Sequence, residues 1–144
     1  MASPASIAKH PLHPMLIAFP IGLWVFSFVS DIVFLASGND AWSLVAYYTM
    51  GGGIIGALVA AMPGFIDYLS LSQPRVKNLA TWHMVINLTI VVIFIIDFSL
   101  RMRNPLTHGL PFILSILGVL LLGLSGWLGG ELVYVHGVAV EQQK

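Results

Sequence analysis

Among its 144 residues the chain has no cysteine. That excludes disulfides, thiolate metal sites, a cysteine nucleophile and covalent c-type haem attachment. Charge is nearly as scarce. Asp, Glu, Lys and Arg together make up 8% of the residues, against roughly a quarter in an ordinary soluble domain. The six basic and six acidic residues cancel. The basic ones do not cluster, so the chain offers no electrostatic footprint for nucleic acid. Strand-like alternation of polar and apolar residues is also missing, which argues against a β-barrel. The first apolar run is too long for a signal peptide, and no small-x-small cleavage site follows it.

Apolar side chains fill the space. They account for 58% of the chain and form runs over residues 15–36, 42–62, 79–100 and 110–128, with the charges mostly at the run ends. At 1.5 Å rise per residue, runs of roughly 20 residues reach about 30 Å, the thickness of a bilayer's hydrocarbon core. The second helix is expected to continue to about residue 69 and the fourth to about residue 130. This predicts one all-α transmembrane domain over residues 1–144, with spans near 15–36, 42–68, 79–100 and 110–130. Short connections between the spans favour an up-down-up-down four-helix bundle.

Four spans place both termini on one side, together with the loop between the second and third helices. Lys9, Arg75, Lys77 and Lys144 lie on that side, and Arg101 and Arg103 on the other. The positive-inside rule then puts the termini in the cytoplasm. Pro14 is expected to open the first helix, Pro20 and Gly22 to bend it, and residues 71–78 to form a loop. Gly52, Gly56, Ala60 and Gly64 recur at every fourth position of the second helix. Such a stripe permits close helix packing; a homodimer seam or space for a flat ligand is the sharper reading.

In a membrane, polar side chains cost free energy and so carry information. Sorted by this topology, His10, His13, Asp67, His83, Glu131, Tyr134 and His136 all fall near the terminal side, and His108 alone of the five histidines falls on the other, as a loop residue. Imidazole is the usual protein ligand of haem iron and a common one of zinc and non-haem iron. A nearby carboxylate can orient a ligating histidine. Asn87 is one helical turn from His83 and shares its face. Each residue also has a plainer reading. His10 and His13 can simply start a helix, His83 can bond a neighbouring helix, and His136 can be a solvated tail residue. Asp67 and Glu131 can pair with Arg75 or Lys77. On the opposite side, Asp31 and Asp97 face Arg101 and Arg103. Asp97 and Arg101 are spaced to pair within one helix, a structural role. The centres of the spans hold no ionisable residue, which argues against a pump or channel.

Several motifs also carry a resemblance. They are His10-Pro11-Leu12-His13-Pro14, Phe19-Pro20-Ile21-Gly22, and Pro63-Gly64-Phe65-Ile66-Asp67-Tyr68. To these are added His83 with Asn87, and Gly126-Trp127-Leu128-Gly129-Gly130-Glu131-Leu132-Val133-Tyr134 followed by His136-Gly137. Together they resemble the bacterial membrane family filed as domain of unknown function 2231, over nearly the whole chain. The resemblance implies a multi-pass protein of the bacterial inner membrane. Members of that family occur joined to Rieske-type iron–sulfur domains, which implies an electron-transfer setting and, for this chain, a separate Rieske or cytochrome partner.

Three functions follow from these residues. The leading one is a b-type cytochrome, with haem b held by His13 and His83, His136 or His10 as replacement ligand, and Trp82, Asn87, Tyr134 and glycines around the ring. The second is a non-haem iron or zinc enzyme using His13, His83, His136, Asp67 and Glu131. The third is a structural subunit of a larger respiratory or photosynthetic membrane complex.

Overall fold

A computed structural model describes residues 3–107 and 109–140. The short helix α1 (Leu12–Leu16) leads into α2 (Ala18–Ser37), followed by α3 (Asp40–Leu69), α4 (Pro74–Arg103) and α5 (Leu110–Gly130). A π-helical turn, Glu131–Val135, extends α5. Taken with their extensions, four helices are long and apolar enough to cross a membrane: Leu12–Ser37, Asp40–Leu69, Pro74–Arg103 and Leu110–Val135. The chain is an all-α, four-helix, multi-pass bundle.

Local chemistry sets the helix ends. Gly38 takes the left-handed conformation (φ +66°) and donates its N–H to Phe34 O at 2.8 Å, closing α2. Asn39 then caps α3, its Oδ1 accepting from Ala41 N–H at 3.0 Å. Pro74 stands in the first turn of α4, where its missing N–H has no partner to lose. The helix therefore begins at Pro74, inside the loop expected over residues 71–78. At its far end it runs on through Arg101 and Arg103. Pro14 lies within α1 and does not open it. Before it, Ser6–Ile7 pairs antiparallel with His10–Pro11 as a small hairpin, and Leu12 N–H bonds back to Ala5 O at 3.0 Å.

The helices pack in a ring. α2 lies along α3 and α4 along α5, and the α3–α4 and α5–α2 contacts close the circuit. At its centre are Trp24, Met50, Ile90, Phe94 and Leu122. Trp24 stacks on Phe94 with ring centroids 4.4 Å apart and donates its indole N–H to Met50 O at 3.3 Å. Glycines make room for these rings: a Cβ on Gly53 would stand 2.5 Å from Trp24, and one on Gly118 2.7 Å from Phe94. The stripe on α3 is filled from within the chain. Gly52 faces Leu23, Gly56 faces Pro20, and Gly64 faces His13. Large apolar side chains such as Phe19, Ile55 and Leu120 remain on the outside, as lipid contact requires.

Candidate functional site

His13 sits in α1, one turn before the long part of the first span. Its Nδ1 lies 2.8 Å from Ala60 O on α3. A carbonyl oxygen only accepts, so Nδ1 carries a hydrogen, and in the neutral ring Nε2 has the lone pair. The ring reaches the α3 backbone because residue 64 has no side chain: a Cβ there would stand 2.6 Å from His13 Nδ1.

His83 makes a related contact from α4. Its Nδ1 lies 3.0 Å from Ser125 O on α5 and 3.1 Å from Ser125 Oγ, and Gly129 leaves room for the ring, since a Cβ there would stand 3.0 Å from Cε1. Asn87 braces it. The amide Nδ2 donates to Ser125 Oγ and to His83 O, both at 2.7 Å. The same amide nitrogen also stands 3.2 Å from His83 Nε2. The two imidazoles come from different helices, His13 from α1 and His83 from α4. Each has its Nδ1 tied to a helix carbonyl. This is the usual way a protein fixes the tautomer and orientation of a ligating histidine.

The other residues singled out from the sequence go elsewhere. Asp67 is buried, and its Oδ1 accepts from Ser3 Oγ at 2.6 Å and from Ala5 N–H at 3.2 Å. It pins the N-terminal arm and is bound neither to a histidine nor to Arg75 or Lys77. His10 is exposed and donates Nδ1–H to Ala8 O at 2.8 Å. His136 and Glu131 face each other across the π-helical turn at 4.0 Å, at the surface. Tyr134 is 89% exposed and Trp82 61% exposed, so neither lines an interior site. His108 lies outside the described residues. The set His13, His83, His136, Asp67 and Glu131 does not gather round one point: among the described residues, no three His, Cys, Asp or Glu stand together as a metal site would need. The helix geometry separates them, because Asp67 turns to the arm while His136 and Glu131 turn outward.

At the opposite end, Asp97 and Arg101 pair within α4 as their spacing indicated, at 2.8 Å. The fuller arrangement includes Asp31 on α2, held by both terminal nitrogens of Arg101, and Ser115 on α5. Ser115 carried no signal of its own in the sequence, and Ser125 stood out only as a small residue spaced four from Gly129, a sign of close packing. Ala60 contributes a backbone oxygen.

No curated protein and no solved structure matches the chain. A family model described as "Predicted membrane protein (DUF2231)" matches residues 9–142. The chain belongs to that family of membrane proteins, as its terminal motifs implied.

Proposed function

We propose that the protein is a membrane-embedded electron carrier in which His13 and His83 hold one haem b between the first and third spans. The observation that carries this reading is the shared geometry of the two imidazoles. Both place Nδ1 against a carbonyl of a facing helix, which makes Nε2 the nitrogen each would offer to iron, with the Asn87 side chain moving off that of His83, which it approaches to 3.2 Å. A pair of imidazoles suits haem, whose four equatorial positions are filled by the macrocycle. Zinc or non-haem iron would ask the protein for three or more ligands, and among the described residues no such group converges.

Held there by His13 and His83, the haem would supply one-electron chemistry. The chain's own residues do the positioning. Ala60 O and Ser125 O set the two tautomers, Gly64 and Gly129 give the rings space, and Asn87 locks His83 to α5. The surrounding apolar bundle lowers the local dielectric, one of the levers on the potential of such a centre. The natural setting is the bacterial inner membrane, with both termini cytoplasmic and a Rieske or cytochrome centre as electron partner.

Haem content tests the reading. Protein produced with haem supplied during expression is purified in detergent, and haem is extracted and quantified per chain. The wild type should approach one haem per chain. His13→Ala and His83→Ala should each fall to background while remaining folded, and His10→Ala, His136→Ala and Asp67→Asn should keep their haem. A wild type without haem, or one whose haem survives both key substitutions, contradicts the assignment.

A further inference from the structure

Far from the histidines, side chains from three helices form a closed network. Asp31, Asp97, Arg101 and Ser115 are all at least nine-tenths buried. Arg101 Nε–H donates to Asp97 Oδ1 at 2.8 Å, and its two terminal nitrogens grip Asp31 Oδ1 at 2.6 Å and Oδ2 at 2.8 Å. Ser115 Oγ bridges the two acids, 2.8 Å from Asp97 Oδ2 and 3.2 Å from Asp31 Oδ2.

The hydrogens in this bridge do not add up if both acids are ionised. A hydroxyl has one hydrogen and can donate to one carboxylate only. The other contact would then have no hydrogen of its own, only the Arg101 Nη2–H that reaches Ser115 Oγ at 3.3 Å beside it. The charges do not balance either: two carboxylates and one guanidinium leave one negative charge among membrane helices, where an uncompensated charge is costly. Among the described residues, the elements packed around the network do not offset it. α2 brings Asp31, α4 brings Asp97 and Arg101, and α5 brings Ser115. The adjoining small cavity adds Ser43 of α3 and Thr107 of the α4–α5 loop, with Phe34, Leu35 and Phe112. Those last five carry no charge.

We propose that this network is a proton-binding site holding one proton beyond that of the guanidinium. The proton resides on Asp97, which donates it to Ser115 Oγ, and Ser115 in turn donates its own hydrogen to Asp31 Oδ2. Every contact of the bridge then contains one hydrogen, and the network is neutral. Asp31 is the ionised partner, because it receives the two-pronged grip of the guanidinium. If both hydrogens move one step along the bridge, the proton passes from Asp97 to Asp31 and the serine is regenerated. The cavity beside Asp31 and Arg101 has room for about one water molecule. Exchange with solvent is therefore through the α4–α5 loop, at the end of the bundle away from the termini.

Infrared spectra of the full chain in detergent, at neutral pH in H₂O and in D₂O, test the site. The wild type should show the C=O stretch of a protonated carboxyl, shifted in D₂O and missing from Asp97→Asn. Asp97→Asn should melt close to the wild type, because an amide N–H replaces the carboxyl O–H toward Ser115. Asp31→Asn breaks the ion pair and should melt about 10 °C lower. Absence of the band from folded wild type, or its full persistence in Asp97→Asn, overturns the proposal. Should Asp97→Asn fail to fold, Ser115→Ala decides: a band displaced by loss of its acceptor supports the site, and an unmoved band refutes it.

Discussion

The imidazole of His13 occupies the space that a side chain at position 64 would need. A Cβ on Gly64 would approach its Nδ1 to 2.6 Å, well inside van der Waals contact. Gly64→Ala must therefore push His13 off Ala60 O, at a cost of about 1–3 kcal/mol in overpacking. The expected outcome is a lower melting temperature and loss of haem. Gly22→Ala is the control. A Cβ there meets nothing within 4 Å, and alanine is the better helix former, so stability should be unchanged or rise by up to about 1 kcal/mol. Thermal melts of the two variants side by side check both statements.

Asn87 joins α4 to α5 through Ser125 and holds His83 in place. Asn87→Ala should cost about 1–2 kcal/mol through the lost bonds. It should leave haem bound but alter its midpoint potential, because His83 gains freedom to turn. Nitrogen NMR of labelled histidine provides a check that needs no haem. The apoprotein should show His83 and His13 as Nδ1–H tautomers, and Asn87→Ala should broaden only the His83 signals.

Asp67 works as a pin. Its Oδ1 holds Ser3 and Ala5 against the end of the bundle. Asp67→Ala leaves the buried Ala5 N–H without its acceptor, a loss of about 1–3 kcal/mol for that end of the molecule. Limited proteolysis should then cut before His10 faster than in the wild type, with the spans intact. Equal cleavage rates would contradict the pinning role.

Arg101 is 2% exposed, is the counter-charge of Asp31 and donates to Asp97. Arg101→Met strands Asp31 and should destabilise the bundle by about 3–5 kcal/mol. Denaturation in mixed detergent should place it among the most damaging single substitutions in the chain. Retention of wild-type stability would show that the network contributes little.

Much of the fold was legible because a bilayer leaves few choices. A run of about 20 apolar residues with charges at its ends must satisfy its own backbone, so it becomes a helix. The ends were less legible. Pro74 reads as a loop residue, yet it opens α4 because the first turn does not need its N–H. The site was half legible. His13 and His83 stood out as imidazoles on apolar helices, and Asn87 as a polar neighbour one turn away. Their partners did not, because Ala60 O and Ser125 O are backbone atoms that any residue supplies. Asp67 and Glu131 were grouped with the histidines by their level in the membrane. Level says nothing of direction round a helix axis, and in the structure Asp67 turns to the arm while Glu131 turns outward with His136. The same limit hid Ser115, whose place between two acids depends on how α5 is rotated against α2 and α4.

A haem held by His13 and His83 has an optical signature, read in a spectrum of the purified protein oxidised and then reduced with dithionite. A sharp α band is expected on reduction, abolished by either His13→Ala or His83→Ala and preserved in His10→Ala. A featureless spectrum from protein expressed with ample haem would contradict the assignment.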